Sequence, residues 1–471
     1  MNARPPDLGR FLQRIASAAP RGGGAVLAGF DPSAPAALAR APGRLDVMGG
    51  IADYSGSLVL QLPIAEAAHA AAQWADDGRV IAVSLPAEPG GTLRRCCLEI
   101  ESWRSCAADP KAAEVWFAAD PASRWAAYVL GPVMLWAAER GVAVERGLRL
   151  VLASDVPEGK GVSSSAAIEV ASLVAVARLV GAEIDGADVA RLCQAAENHL
   201  VGAACGIMDQ MTAAFGRADH LLALLCQPAM IQGFIPVPPA IRFWGIDSGI
   251  RHAVSGSDYR DVRCGAFIGY RMIAELAGFS AGRPDASGRV RIDDARWGGY
   301  LANIAPEEFD ERFAWRLPET VSGAAFLAQY GGTTDRATRV DPERRYAVRQ
   351  PTRHPIEEHR RVQRFAELLS GPLGETELRT MGELMYASHA SYSACGLGSD
   401  GTDLLVEMVR AAGPAAGLYG AKITGGGSGG TVAVLGRAEA APAVAEIAAD
   451  YARQTGRTNR VFADSSDGAT A

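Results

Sequence analysis

The sequence has little of what marks a membrane protein, a nucleic-acid-binding protein or a disulfide-stapled one. No uninterrupted apolar run among its 471 residues reaches the length that crosses a bilayer. The formal net charge of −7 leaves no basic surplus for non-specific binding of nucleic acid. The eight cysteines are scattered without a C-x-x-C pair, and the seven histidines show no metal-ligand spacing. We therefore expect a cytoplasmic protein with reduced thiols, whose partners include neither nucleic acid nor a membrane.

What the chain does have is enough apolar sequence for a large core, with 49% apolar and 21% charged residues. Its length is typical of two domains, and the prolines at 236, 238 and 239 favour a boundary after Pro238, which gives domains 1–238 and 239–471. Residues from about 282 to 350 are irregular, charged and interrupted by proline and glycine, and we predict short helices and loops there. Elsewhere periodicity predicts helices over 8–18, 125–138, 166–176, 187–201, 355–369, 376–393 and 441–451, and strands over 79–85, 148–152, 220–226, 241–247, 431–435 and 460–464.

One glycine- and serine-rich stretch between a predicted strand and a predicted helix has the chemistry of an anion site. It reads Asp155-Val-Pro-Glu-Gly-Lys-Gly-Val-Ser-Ser-Ser-Ala-Ala167. The first N–H groups of a helix lack internal partners, and glycine lets the backbone approach a phosphate. The serine hydroxyls could bind phosphate or magnesium. The alternative is an ordinary capped helix after a turn. A Walker A loop is excluded, because Gly161 and not Ser or Thr follows Lys160.

Two further stretches combine charged residues with turn residues. Residues 41–60 carry Arg44, Asp46 and Asp53 in a pattern that is plausible for a sugar or phosphate site. The alternative there is a β-turn with a surface salt bridge. Asp209 follows Gly206 among apolar neighbours, where an unpaired carboxylate is costly. It is a candidate general base or, alternatively, a helix N-cap.

A third glycine-rich loop lies near the C-terminus, within residues 420–434. The stretch from Gly425 to Val432 matches the pattern G-x-G-x-x-G-x-V of the protein-kinase glycine loop. We reject that interpretation, because too little chain follows for the lysine, the catalytic loop and the D-F-G segment that a protein kinase needs.

Taken in this order, the three motifs resemble those of the GHMP kinases, a superfamily of small-molecule kinases, and most of all its galactokinase branch. Residues 45–56 and 391–403 are similar to the same motifs in the kinase part of plant L-arabinokinases. The resemblance covers nearly the whole chain from about residue 38. Its residues are Ala41-Pro-Gly-Arg44, Asp53-Tyr54, Ser163-Ser-Ser-Ala166, Cys205-Gly-Ile-Met-Asp-Gln210, Arg251-His252 and Thr424-Gly-Gly-Gly427.

The resemblance implies an α+β GHMP kinase fold with two domains. The N-terminal domain would be of ribosomal protein S5 domain 2-like type, and the C-terminal domain ferredoxin-like. ATP and a sugar would meet in the cleft between them, and the γ-phosphoryl group would pass to the anomeric hydroxyl of the sugar with Mg²⁺ as cofactor.

The resemblance also implies a role for individual residues. Asp209 would accept the hydroxyl proton and Arg44 would polarise that hydroxyl, while Ser165 (or Ser164) and Glu197 would bind Mg²⁺. The remaining implied site residues are, for the sugar, Asp53, Gly206, Tyr259, Gly50 and Ile51 and, for ATP, Gly159, Lys160, Gly161, Val162, Ser163, Ser164, Ser165, Ala166, Trp125, Gly425, Gly426 and Gly427.

The sequence departs from the galactokinase pattern at Gly50 and Ile51. Galactokinases usually have Glu-His there, and the resemblance implies that this pair contacts the 6-hydroxyl of the sugar. L-Arabinopyranose has the ring stereochemistry of D-galactopyranose without the CH₂OH arm. A buried polar pair left unmet would cost about 1–3 kcal/mol, so its loss favours the pentose. We therefore predict phosphorylation of L-arabinose by a monomer or homodimer. The alternatives are a relaxed galactokinase, a kinase for another galacto-configured sugar such as an acid sugar, and a non-catalytic sensor of sugar and ATP.

Overall fold

The computed structural model describes residues 6–18, 27, 29–87, 91–141, 144, 146–251 and 257–470. Its strands are β1 (Ala37–Met48), β2 (Leu58–Ala75), β3 (Arg79–Ser84), β4 (Arg94–Glu99), β5 (Gly147–Ser154), β6 (His220–Leu225), β7 (Met230–Pro236), β8 (Ile241–Asp247), β9 (Thr320–Ser322), β10 (Arg345–Ala347), β11 (Leu418–Ile423), β12 (Thr431–Arg437) and β13 (Val461–Phe462).

The helices are α1 (Pro6–Ala18), α2 (Ile100–Ala108), α3 (Pro110–Ala119), α4 (Ala126–Arg140), α5 (Ser164–Val180), α6 (Gly186–Ala196), α7 (Met208–Phe215), α8 (Ser257–Leu276), α9 (Pro306–Glu308), α10 (Gly323–Tyr330), α11 (Arg349–Ser370), α12 (Glu375–Ala394), α13 (Asp400–Ala412) and α14 (Ala441–Thr455). Short 3₁₀ turns occur at Gly50–Ser55, Leu301–Asn303, Pro414–Ala416 and Ala438–Ala440, and π-helical turns at Glu197–Val201 and Phe309–Ala314.

The first sheet has the strand order β4-β3-β5-β2-β6-β7, with β1 also paired to β2. Its neighbours are antiparallel except for β3 and β5. The 18-residue strand β2 is long because it pairs with β1 along one edge and with β6 and then β5 along the other. Its first residues pair with β6 and its last eight with β5. One strand thereby joins both ends of the sheet.

Both faces of this sheet are covered, which explains the continuous apolar run of β5. Leu148, Leu150 and Leu152 face the large core that helices α4 and α5 help to form. The alternate side chains face a second core that contains Phe11 and Ile15 of α1. A strand buried on both faces has no solvent side to make polar. Helix α5 packs on β1 and β2 with its central residues buried, which fixes the serine-rich turn at its N-terminus.

The second sheet is antiparallel, with the order β11-β12-β8-β13. Helices α12 and α13 pack on β11. This sheet draws its strands from residues 241–462 and the first sheet draws its strands from residues 37–236. The domain boundary after Pro238 stays a prediction. Within the described ranges, no helix is long and apolar enough to span a membrane.

Candidate active site

The three motif segments line one cleft. Most of the predicted site residues are among the lining residues, which are Arg44, Ile51, Asp53, Gly159, Gly161, Ser163, Ser164, Ser165, Glu197, Ala204, Cys205, Gly206, Met208, Asp209, Tyr259, Gly425 and Gly426.

An arginine–aspartate pair lies at the centre of the cleft. Nε and Nη2 of Arg44 both donate to Oδ1 of Asp209, at 3.0 and 2.7 Å. Asp209 is in the first turn of α7, whose N-cap is Ile207, so the N-cap alternative for Asp209 is wrong. Among the described residues none donates to its Oδ2. The arginine therefore holds one carboxylate oxygen and leaves the other free to accept a hydroxyl proton.

The serine-rich turn presents an open helix N-terminus. Gly159 and Gly161 have φ of 72° and 70°, and Ser163 has φ of 61°, a left-handed conformation that is uncommon for serine. Ser163 occupies the N-cap position of α5 but makes no side-chain cap bond, and its hydroxyl is buried without a partner. The N-terminus is thus not capped in the ordinary way, which leaves its N–H groups available to an anion.

Carbonyl groups of the same turn are held by the rest of the protein. Thr431 donates to the Lys160 carbonyl at 2.8 Å, and Arg44 Nη1 donates to the Gly161 carbonyl at 2.7 Å. The backbone N–H of Arg44 donates to the Val162 carbonyl at 3.1 Å. The Lys160 ammonium lies 2.9 Å from Oδ2 of Asp247 at the end of β8. These contacts join the turn to both sheets.

The third glycine loop approaches the turn backbone to backbone. A Cβ on Gly425 would lie 2.9 Å from the Gly161 carbonyl oxygen, closer than real Cβ atoms come. Gly425 also has φ of 73°, so glycine is required there both for space and for conformation.

Buried carboxylates flank the serine turn. Gln210 Nε2 donates to Glu197 at 2.7 Å and to Glu169 at 3.2 Å. Burial, and next the negative charge of Asp209, raise the pKa of Glu197 to about 7 against hydrogen bonds from groups that include Ser165. Burial and the charge of Glu197 raise the pKa of Glu169 well above its usual range. Sequence reasoning missed Glu169, although a lone acid within the apolar helix α5 was a usable signal.

One side of the cleft contains a carboxylate with one unpartnered oxygen. Asp53 packs directly on Gly206, where a Cβ would lie 1.6 Å from Asp53 Oδ2. Its Oδ1 is buried without a hydrogen bond. Burial, and next the charge of Asp209, raise the pKa of Asp53 to about 7. A buried oxygen without a donor is costly unless a ligand supplies one.

Arg263 of α8 lies behind this side of the cleft, and the sequence analysis did not identify it as a site residue. Its Nε and Nη2 donate to Asp335 at 2.8 and 2.7 Å, and its Nη1 donates to the Cys205 carbonyl at 3.1 Å. Asp335 belongs to the irregular segment 282–350, which is thereby tied to the cleft. No periodic signal marks Arg263, since its neighbours Val262 and Cys264 are buried as well.

The other predicted site residues lie beside the cleft. Gly50 donates its N–H to Asp46 Oδ1 at 2.9 Å, and Gly427 packs on Leu397. Val162 and Ala166 are buried in the first core. Trp125 precedes α4 and packs against that core, with Nε1 buried and unpartnered, so its predicted contact with adenine stays a prediction. His252 of the Arg251-His252 motif lies outside the described residues.

Comparison with known proteins places the chain in a family. Residues 127–217 match the family of GHMP kinases N terminal domain, and residues 372–454 match that of GHMP kinases C terminal. The chain is 44% identical to L-arabinokinase from Arabidopsis thaliana over 475 aligned positions, which cover 92% of this chain and 46% of the relative. It therefore spans about half the length of that relative. It is 31% identical to galactokinase from Chloroflexus aggregans, with 90% of each chain covered.

Solved structures agree on the fold. Galactokinase from Lactococcus lactis, complexed with galactose, superimposes with a TM-score of 0.73 at 19% identity and covers 98% of this chain and 99% of its own. Mevalonate kinase from Methanococcus jannaschii gives a TM-score of 0.54 at 14% identity, with 92% and 99% covered. The fold is that of the GHMP kinases, with mixed α/β content. Since the galactokinase relative is matched along nine-tenths of its length, the chain belongs to the GHMP kinase family, in its galactokinase branch.

Proposed function

We propose that this protein is an ATP-dependent sugar-1-kinase that converts L-arabinose to L-arabinose 1-phosphate. The observation that carries the proposal is the Arg44–Asp209 pair, set beside an open, serine-rich helix N-terminus in one cleft. The similarity to L-arabinokinase supports the choice of sugar.

In the proposed reaction the anomeric oxygen of the sugar attacks the γ-phosphorus of ATP, and the bond from that phosphorus to the β,γ-bridging oxygen breaks. The hydroxyl proton passes to Oδ2 of Asp209, the oxygen that Arg44 leaves free. Arg44 stabilises the charge that develops on the attacking oxygen. Because the pair is held in the chain's own hydrogen bonds, little reorganisation is needed during transfer.

The nucleotide phosphates would bind the serine turn and the third glycine loop. Ser165 and Glu197 fit Mg²⁺, which prefers one or two protein oxygens together with phosphate oxygens and water. Among the described residues no group of three or more His, Cys, Asp or Glu side chains is arranged to hold a metal alone. The ion would therefore enter with the nucleotide, and it would neutralise phosphate charge during transfer.

The sugar would bind between Asp53 and Tyr259, with Ile51 as an apolar wall. Asp53 Oδ1, which lacks a donor, would accept a ring hydroxyl. The cations that surround this region are already paired: Lys422 with Asp46 and Arg263 with Asp335, at 2.7 Å each, and Arg44 with Asp209. Within the described part of the chain, these pairs leave no free positive charge beside Ile51, which weighs against an acid sugar.

The decisive experiment compares kcat/KM for L-arabinose, D-galactose and a panel of other sugars, with ATP consumption as the readout. We expect L-arabinose to be preferred. A tenfold or greater preference for D-galactose would instead establish a galactokinase, the second candidate, which the 31% identity to a full-length galactokinase favours. Absence of turnover with every sugar would leave the sensor hypothesis.

A further inference from the structure

The space that a side chain at position 50 would use is already filled from the C-terminal half. Gly50 has φ of 45°. A Cβ built on it would lie 1.5 Å from Oη and 2.7 Å from Cζ of Tyr392. Both distances are far below any contact that real Cβ atoms make, so a side chain here and the phenol of Tyr392 exclude each other.

The Tyr392 hydroxyl also connects two walls of the cleft. It accepts the N–H of Ile51 at 2.8 Å and donates to the carbonyl of Gly425 at 3.0 Å. Ile51 lines the sugar side and Gly425 belongs to the third glycine loop. Burial, and next the negative charge of Asp46, raise the pKa of Tyr392 well above its usual range, so the hydroxyl keeps the proton that it donates.

The ring itself is held rigidly. Tyr392 is fully buried on α12, with the ring of His354 packed edge-on at 5.1 Å. Lys422 Nζ lies 5.3 Å from its centroid and pairs with Asp46 Oδ2 at 2.7 Å, and both of these charged side chains are fully buried. Asp46 in turn accepts the N–H of Gly50 at 2.9 Å. Tyr392, Gly50 and the Lys422–Asp46 pair therefore contact one another, and each restricts the position of the others.

We propose that Tyr392 is a specificity-determining residue, matched to Gly50, that holds Ile51 as the wall closing the sugar pocket. It acts by position and touches no reacting atom. The phenol fills the space beside Gly50 from behind the wall, so position 50 supplies no side chain that could bind an exocyclic arm. This inference rests on the proposed sugar kinase activity and assigns the chemical class of the sugar, a pentopyranose.

A double-mutant cycle tests the matching without any substrate. Gly50→Ala alone should lower the melting temperature, because its Cβ meets the phenol. Gly50→Ala in a Tyr392→Leu background should lower it much less, since the phenol is gone. The backbone strain at φ 45° is common to both backgrounds and cancels in the cycle. The matched control is Tyr386→Leu, a buried tyrosine on the same helix that packs with Arg410. When Gly50→Ala is combined with Tyr386→Leu, the decreases in melting temperature of the two single variants should add.

Kinetics test the specificity. Tyr392→Phe, which keeps the ring and should fold, is expected to raise the KM for sugar by about tenfold with a smaller change in the KM for MgATP. Tyr392→Leu should shift the kcat/KM ratio toward D-galactose by about threefold or more, and Tyr386→Leu should leave that ratio unchanged.

Additive losses for Gly50→Ala and Tyr392→Leu, or an unchanged sugar KM in Tyr392→Phe, would overturn the inference even if L-arabinose proves to be the substrate. If another pentopyranose is preferred while the cycle is non-additive, the inference stands and the proposed substrate is wrong. A preference for a hexose would overturn both.

Discussion

The polar groups on the two sides of the cleft differ in how far the protein itself supplies their hydrogen-bond partners. We call the side with unmet groups the unfinished side and the other the finished side. On the unfinished side, which Ser163, Asp53 and Asp209 line, Ser163 Oγ and Asp53 Oδ1 are buried without partners, and Asp209 Oδ2 accepts no hydrogen bond from the described residues. On the finished side, which lies behind Ile51, the ionic and hydroxyl groups of Asp46, Lys422 and Tyr392 all make hydrogen bonds within the protein. Since the unmet groups of the unfinished side line the cleft, we expect a ligand to complete their hydrogen bonding, and we expect the finished side to contribute to recognition by its shape.

The largest effect should come from removing the carboxylate on the unfinished side. Asp209→Asn is expected to lower kcat by about 10²–10⁴-fold, because the hydroxyl proton then has no acceptor, while binding of the sugar and ATP is largely kept. Steady-state kinetics with sugar and ATP checks this. Asp188→Asn is the matched control, since Asp188 also lies in the first turn of a helix and pairs with arginine. Intact turnover in Asp209→Asn would refute the mechanism.

On the finished side, breaking one buried pair should cost stability more than activity per folded molecule. Lys422→Met leaves Asp46 charged and unpaired in the core, which should lower the free energy of unfolding by about 3–5 kcal/mol. Urea denaturation measures the loss. The double variant Asp46→Asn with Lys422→Met should recover most of it, and Lys111→Met in an exposed pair should change little. Equal losses in the two lysine variants would contradict the comparison.

The unfinished side should respond to pH through Glu197. Its pKa is raised to about 7, so a proton competes with Mg²⁺ below that value. The affinity for a magnesium nucleotide should therefore increase by about tenfold between pH 6 and pH 8 beyond the change seen in Glu197→Gln. Calorimetric titration at both pH values measures the difference, and comparison with the variant removes the titration of the nucleotide itself. Parallel pH profiles would show that Glu197 does not contact the ion.

The smallest effect concerns stability without ligand. Glu197 and Asp53 both have a pKa raised to about 7 in the folded protein. Between the ordinary pKa of each group in the unfolded chain and this raised pKa, the folded protein binds more protons than the unfolded chain. Their contribution is present at low pH and is lost as the pH rises through 7, by about 1 kcal/mol for each group from pH 6 to pH 8. Urea midpoints at the two pH values measure this. Asp53→Asn should make the urea midpoint depend less on pH. A midpoint that increases from pH 6 to pH 8 would contradict the raised pKa values.

Periodicity predicted several of the elements around the site, among them β5, α5 and β12, because they are amphipathic or continuously apolar. It did not predict β1, which carries Arg44, or α7, which carries Asp209. Strand β5 lies within two residues of its predicted bounds, and helix α5 begins two residues before and ends four residues after its predicted bounds. The short helices and loops predicted for 282–350 are found, but the two short strands β9 and β10 also form there. The alanine-rich part of β2 and helix α13 were not predicted. Alanine has little strand preference, and the pairing of β2 with three other strands overrides that preference. The predicted strand 460–464 is reduced to Val461–Phe462.

The site was predictable where glycine and serine sit in motifs, and less so where its parts come from distant elements. Asp209, Arg44 and the serine turn were found and do lie together. Arg263 and Tyr392 were missed as site residues, because each acts through a contact with a segment far away in the chain. Tyr392 does lie in the stretch 391–403 that resembles plant L-arabinokinases, but that resemblance does not indicate its contact with Ile51, since a buried tyrosine on a helix resembles any other core residue.

Hydrogen bonds to the carbonyls of the serine turn fix the direction in which its peptide groups point. Three successive carbonyls, at 160, 161 and 162, are bound by Thr431 and Arg44. In a trans peptide the amide hydrogen points opposite to the oxygen, so the next three N–H groups all point away from those partners. None of these planes can rotate without losing a bond. The orientation of the turn's backbone is therefore fixed before any ligand binds, and we expect its N–H groups to favour phosphate over a bare cation.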